Sequence, residues 1–264
     1  MKKWCVILLA SLAILLTSCE WKLKPNGDDG RDGLDQVQRY DRLESRYLTT
    51  GDFSALQQMN IDFPMETRTL IEDVLRLGEV NDPEINSKFL NFYQDTILQS
   101  IVADAEAQYA NMSDLNMQFD KAFKRLAKMC PNLRRPMIYA QIGALDQSIV
   151  VGNGSVGISL DKYLGSDYPL YARYYSAEQR ATMKREYIVP DALSFYLLSV
   201  YPLKNHDTCP QYERDIHMGK IMWVVNKAME RPIFKTRYVD IVDARMKECN
   251  GLQTEDLLTR MIIK

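Results

Sequence analysis

The first half of this chain repeats its apolar residues every three or four positions, and a short central stretch alternates them every two. Helices, a small sheet and then helices again are therefore expected. In Leu34–Tyr47, Val37, Tyr40, Leu43 and Tyr47 form one apolar stripe, which predicts a helix. Asp52–Met59 predicts a short helix capped by Asp52 or Gly51. Met65–Leu77 puts Leu70, Val74 and Leu77 on one face and stops at Gly78. Asp82-Pro83-Glu84 combines an N-cap with a first-turn proline, a strong helix start. From there Ile85, Phe89, Phe92, Ile97, Ile101 and Val102 predict one long helix to about Tyr109. Ser113-Asp114 opens another, which buries Phe119, Phe123 and Leu126 and ends before Cys130-Pro131. Stripes of this kind are core material, and none reads as a cofactor box.

The period then changes. Pro136–Ile142 reads as a strand, and Ser148–Val151 and Ser155–Leu160 as two more, rich in β-branched residues. Gly152-Asn153-Gly154 between the last two tolerates positive φ, so they form a β-hairpin. Tyr168-Pro169 begins a tyrosine-rich passage, followed by predicted helices over Ala177–Tyr187 and from Pro190 to Leu198. Lys204–Pro210 is a polar loop. Tyr212–Ala228, Val239–Glu248 and Thr254–Ile263 are predicted to close the chain as helices. The predicted class is α+β: a mainly helical body with a small, mostly antiparallel sheet around a central hairpin.

The N-terminus has a different character. Lys2 and Lys3 precede an apolar run, Cys5–Leu16, too short to span a bilayer. Leu16-Thr17-Ser18-Cys19 places small residues before a cysteine, as in a bacterial lipoprotein signal. The expectation is a signal peptide over 1–18, with lipid attached to Cys19 as diacylglycerol and a palmitate-type chain on the freed amino group. Such double anchoring holds far more firmly than a single chain. Residues 19–33 form a tether of turn formers and charges, and 34–264 a single domain. Glu20 after the cysteine favours the outer membrane, facing the periplasm, over the inner one. The Asp28–Gly33 run fails as a calcium loop, because Arg39 stands where a bidentate glutamate is needed.

Composition removes whole function classes. Without Lys2 and Lys3 the chain carries 31 basic and 35 acidic side chains, and no basic stripe of a nucleic-acid binder appears. Past the leader no apolar run is long enough for a membrane helix. Cys130, Cys209 and Cys249 allow at most one disulfide, with no pairing assigned, and their spacing suits no zinc site.

Three constellations could carry chemistry. Gly152-Asn153-Gly154-Ser155-Val156-Gly157 fits G-x-G-x-x-G, but a strand rather than a helix follows it, which favours the hairpin. His206 and His217 are the only histidines and form no H-E-x-x-H pair, so no metal and no cofactor are expected. Asp161, Asp167, Glu186 and Asp191 could supply acid–base pairs or serve as caps and turns. A hydrolase would need Asp161, Asp191 and perhaps His217 in one deep polar pocket. Tyr163, Tyr168, Tyr171, Tyr174, Tyr175 and Tyr187 read first as core lining. Their second reading is a binding surface, which for glycans would require an exposed flat platform.

Several of these segments resemble, in order and spacing, the gliding-motility lipoprotein GldB family of Bacteroidetes-type bacteria. They are Phe63-Pro64 with Thr67, Ile71–Leu75 with Gly78, Ala122-Phe123-Lys124 before Cys130-Pro131, and Gln147–Val150. The series continues with Gly157–Gly165 and Tyr168-Pro169, Val189-Pro190-Asp191, and Met218-Gly219-Lys220 before Trp223. The resemblance implies a non-enzymatic envelope lipoprotein tied to gliding and its secretion machinery, with membrane and envelope-protein partners. That family has a fainter likeness to zinc-peptidase-like proteins, which carry H-E-x-x-H on the helix after the sheet. Here that helix begins Pro190-Asp191-Ala192-Leu193-Ser194 and has no histidine, so peptidase activity is not implied. After Arg231 the chain departs from the family, with a charged helical ending in place of a glutamine/tryptophan-rich tail.

Overall fold

The computed structural model describes residues 36–152, 154–249 and 251–259. These fall in one compact unit, Leu34–Lys264. The predicted leader, the tether and Cys19 lie outside the described residues, as does the end of the last predicted helix.

The N-terminal part contains helices α1 (Tyr40–Thr50), α2 (Phe53–Asp62) and α3 (Pro64–Arg68), the last continuing as a π-helical turn over Thr69–Val74. Helices α4 (Ile85–Phe92), α5 (Thr96–Gln108) and α6 (Ser113–Met129) follow. Strands β1 (Met137–Gln141), β2 (Ile149–Val151) and β3 (Ser155–Ser159) form the sheet. After a 3₁₀ turn at Leu160–Lys162 come two short helices, α7 (Tyr171–Tyr174) and α8 (Ala177–Arg180). Helices α9 (Ile188–Val200), α10 (Gln211–Met229), α11 (Arg237–Glu248) and α12 (Thr254–Thr259) complete the described chain. The α+β, mainly helical expectation is met.

The sheet is mixed, not mostly antiparallel. Its order is β1-β3-β2, with β3 antiparallel to β2 but parallel to β1. The hairpin is as expected: Val151 pairs Val156, and the Gly152 amide donates to the Ser155 carbonyl at 2.9 Å. Gly154 takes the positive φ of +82° that the turn needs. What the alternation cannot reveal is that β2 stands one strand-width away from β1. The return strand β3 fills that gap and so runs in the direction of β1. Both faces are covered, with α1 against β1 and α9 against β2 and β3.

Three predicted helices are shorter than expected. The stripe from Val37 does not begin the first helix. Gln38 instead pairs with the free edge of β1, donating to Ile138 and accepting from Ala140 at 2.7 and 2.9 Å. An open strand edge leaves such groups unpaired, and this segment covers them. The long helix to Tyr109 is two, because Asp95 caps α5 by accepting from the amides of Ile97 and Leu98. Between them Tyr93 turns fully inward, edge-on to Phe89. The helix over Ala177–Tyr187 stops at Arg180, since the backbone must reach back so that the Gly165 amide donates to Met183.

Candidate functional site

The most unusual chemistry lies at the seven-residue connection from β1 to β2. Ala144 and Leu145 both have left-handed φ, +51° and +65°, which costs a side-chain-bearing residue roughly 1–2 kcal/mol. Successive amides around such residues form a concavity that attracts an anion. The anion here is Asp161, fully buried on the 3₁₀ turn after β3. Its Oδ1 accepts from the Gly143 amide at 2.8 Å, and its Oδ2 from the Leu145 amide at 2.5 Å. The carbonyl of Leu145 accepts from the Tyr175 hydroxyl at 2.6 Å and from Lys162 Nζ at 3.2 Å.

A second buried carboxylate approaches from α1. Glu44 Oε2 accepts from the Ile142 amide at 2.8 Å, while the Tyr93 hydroxyl donates to the Ile142 carbonyl at 2.6 Å. The other oxygen, Glu44 Oε1, is buried with no hydrogen-bond partner. Burial raises Glu44 well above the ordinary carboxylate range, and the charges of Asp161 and Asp41 push the same way. Burial also raises Asp161, against the opposing pull of the Gly143 and Leu145 amides. Thus one loop donates hydrogen bonds to two acidic side chains carried by different elements.

The tyrosines extend this network. Tyr109 donates to the Tyr163 carbonyl at 2.5 Å, and the Tyr163 hydroxyl donates to Asp191 Oδ2 at 3.0 Å. Burial pushes Asp191 up to about 6. Tyr171 donates to the Asp161 carbonyl and accepts from the Leu164 amide. Tyr163 and Tyr171 are interior, Tyr168, Tyr175 and Tyr187 pack partly against the core, and Tyr174 is 61 % exposed. Apart from Tyr174, these tyrosines pack into or against the core.

Asp161 and Asp191 are therefore tied into the tyrosine network through Tyr171 and Tyr163 respectively, but His217 does not join them. It lies on α10 against a cavity at the far end of α9, where Val200 and Tyr201 also line the wall. Asp191 and Val200 are nine residues apart on one helix, on the order of 14 Å along its axis. His206 is exposed beside Asp207. Among the described residues no three His, Cys, Asp or Glu side chains stand close enough to hold a metal ion. Cys130, Cys209 and Cys249 are free thiols. Asp167 and Glu186 belong to no shared site; Glu186 makes only a peripheral pair with Lys184.

Glu44 carries no local motif, and Lys220 enters the sequence reading only within Met218-Gly219-Lys220, although each interrupts an apolar stripe. Glu44 is four residues after Tyr40 and three before Tyr47, and Lys220 is three after His217 and four before Val224. A charged residue inside such a stripe is the signal that could have found them.

The deciding comparison is with protein families. Residues 30–255 match the family model of gliding motility protein GldB. The chain belongs to the GldB family. The match runs from the predicted tether through the sheet, α9 and α10 into the last described helix. No curated protein and no solved structure matches the chain. A gliding-motility family named for a lipoprotein carries an association with the cell envelope, and among the described residues no helix is long and apolar enough to cross a membrane.

Proposed function

We propose that this GldB-family chain is a lipid-anchored envelope lipoprotein that works by binding and supporting other envelope proteins, without catalysis. The observation that carries the reading is the family match over 30–255. Residues 1–29, ahead of the match, contain the stretch read as a leader, Cys19 and the start of the tether. The chemistry of the central site supports the same reading. Asp161 spends both oxygens on backbone amides, Asp191 serves a tyrosine hydroxyl, and His217 is remote from both. A hydrolase needs its acid, base and nucleophile within hydrogen-bond reach of one reacting atom. The protein would sit at the outer membrane facing the periplasm, with the domain reaching its partners from the lipid anchor.

Cys19→Ala tests the anchor. Expected are loss of lipid labelling and release from the membrane fraction, or accumulation of the unprocessed form; unchanged labelling would refute it. Affinity capture of the intact lipoprotein from native membranes tests the binding role. Envelope proteins that co-purify with wild type, and not with a Cys19→Ala control, are the expected result. Stoichiometric zinc in the purified chain, removable together with a hydrolytic activity, would overturn the non-catalytic reading.

A further inference from the structure

Helix α2 buries Ala55, Leu56 and Met59 on one face and should present polar side chains on the other. It does not. Phe53 and Ile61, about two turns apart on the outer face, are 69 % and 67 % exposed. Met65, in the first turn of α3, is 61 % exposed. Among the described residues no large apolar side chain is more exposed than these three. Gln57 stands between Phe53 and Ile61, so positions 53, 57, 61 and 65 follow one another at the four-residue spacing of a helical stripe. Single exposed apolar side chains need no explanation, but three in one line mark a contact surface.

The charge beside this stripe has one sign. From Tyr47 to Thr67 the chain contains Asp52, Asp62 and Glu66 and no lysine or arginine. The two flanking bases are already engaged, Arg46 with Asp52 at 3.1 Å and Arg68 with Glu72 at 4.0 Å. Glu66 is buried. Asp62 is exposed and has no ion partner, and it stands in the last turn of α2. There the helix dipole is itself negative, so an acidic side chain is unfavourable and a cation would be welcome. The surrounding helices have the same sign, with 13 acidic and 5 basic side chains between Tyr40 and Ala110.

We propose that this stripe docks a helix of a partner protein, one that carries its own apolar stripe flanked by lysine or arginine. Phe53, Ile61 and Met65 pack against the partner's apolar side chains, and a partner cation pairs with Asp62 and relieves its conflict with the dipole. A second copy of this chain fits less well, because the bases near the stripe are already taken. An anionic membrane surface would repel Asp62. The inference rests on the binding role proposed above and names the chemistry of one partner.

The test uses the chain made without residues 1–18, which keeps the whole compact unit Leu34–Lys264 and carries no lipid, so no detergent is needed. The probe is a dye-labelled amphipathic Leu/Lys helix of about 18 residues, followed by fluorescence anisotropy. One site per chain is expected, with affinity falling as salt rises. A Leu/Glu helix with the same apolar stripe should bind roughly tenfold more weakly or worse. So should the Leu/Lys helix when offered the triple variant Phe53→Gln, Ile61→Gln, Met65→Gln. If the triple variant is less stable than wild type, Asp62→Lys at an exposed position decides, with an expected several-fold loss. No binding of the Leu/Lys helix, equal affinity for the two helices, or equal affinity of wild type and variants overturns the proposal. A dimer in sedimentation that the triple variant abolishes overturns it in favour of a second copy. Binding to phosphatidylethanolamine/phosphatidylglycerol vesicles that the triple variant abolishes overturns it in favour of a lipid surface. These measurements read the stripe without the anchor, whereas Cys19→Ala and capture from membranes read the anchored role, so the two can fail separately.

Discussion

Replacing Gly157 with alanine adds one methyl group to the middle of β3, and the structure gives that methyl nowhere to go. A Cβ built there would lie 2.5 Å from both Cζ and Oη of Tyr139 and 2.9 Å from its Cε2. Gly157 and Tyr139 are register partners on adjacent strands, so they share one face of the sheet. The Tyr139 ring is 2 % exposed and edge-on to Tyr40, with centroids 6.1 Å apart, so it cannot swing into solvent. Overpacking of this kind costs about 1–3 kcal/mol. Gly157 has no left-handed φ, so the backbone itself accepts alanine, and losing glycine's unfolded-state freedom returns roughly 0.4–1 kcal/mol. The net expectation is a loss of about 1–2 kcal/mol. In a domain of this size that lowers the melting temperature by roughly 2–8 °C.

The decisive assay is a double-mutant cycle read by thermal and urea unfolding. Tyr139→Leu costs stability alone by removing the ring, but it also vacates the space the new methyl needs. In that background Gly157→Ala is expected to become neutral or stabilising by about 0.4–1 kcal/mol. A reversal of sign is a sharper result than a magnitude. If Gly157→Ala is neutral in the wild type, or equally damaging with and without the tyrosine ring, the steric account is wrong. A dinucleotide loop predicts neither outcome, because its glycines answer to a ligand.

Gly154→Val should lower stability by roughly 1–2 kcal/mol through backbone strain alone, since its φ is +82° and a Cβ meets nothing within 4 Å; an unchanged urea midpoint would refute this. Asp161→Ala leaves the Gly143 and Leu145 amides unsatisfied in the interior and should cost about 2–5 kcal/mol, with hydrogen exchange at both amides accelerating first; a loss under 1 kcal/mol would mean that the loop stands without it. Asp191 is raised to about 6 by burial, so the stability its protonated form contributes is complete below about pH 4 and disappears as pH rises toward and past 6. Asp191→Asn, which still accepts from Tyr163, should therefore gain on the wild type by up to about 3 kcal/mol between pH 4 and pH 7, and unfolding curves whose separation does not change with pH would contradict that assignment.

The elements that the sequence announces plainly are those whose signal is local. Asp52 caps α2 by accepting from the Ser54 amide, Ser113 opens α6, and the Gly-Asn-Gly turn closes the β2–β3 hairpin. What stays hidden depends on neighbours far away in the chain. An alternating strand reads the same whether its partner is parallel or antiparallel, so the insertion of β3 beside β1 has no local mark. The break at Tyr93 follows from a hydroxyl that must reach Ile142, 49 residues later. The helix predicted through Val37 gives way to an edge pairing for the same reason. His217, Asp161 and Asp191 could be grouped on paper because periodicity gives faces but not distances, and α9 keeps the histidine at its opposite end. Glu44 is missed, and Lys220 is noticed only as part of Met218-Gly219-Lys220, because a stripe is scored by its apolar members.

Two buried acids beside several tyrosine hydroxyls would ordinarily mark an active site, since perturbed carboxylates collect where proton transfer is needed. The partners of these acids argue for a different role. A catalytic acid keeps at least one oxygen for substrate, whereas both Asp161 oxygens and Glu44 Oε2 are taken by amides within four residues of one another. Those amides belong to a connection with two left-handed residues, a conformation that would relax without help. Even as ordinary hydrogen bonds at roughly 0.5–1.5 kcal/mol each, three of them offset much of the strain of about 2–4 kcal/mol in Ala144 and Leu145. Glu44 comes from the N-terminal helices, Asp161 from the turn after β3, and Tyr175 from the helices that follow. The loop is therefore where three parts of the chain are fastened together, and its acids act as ties.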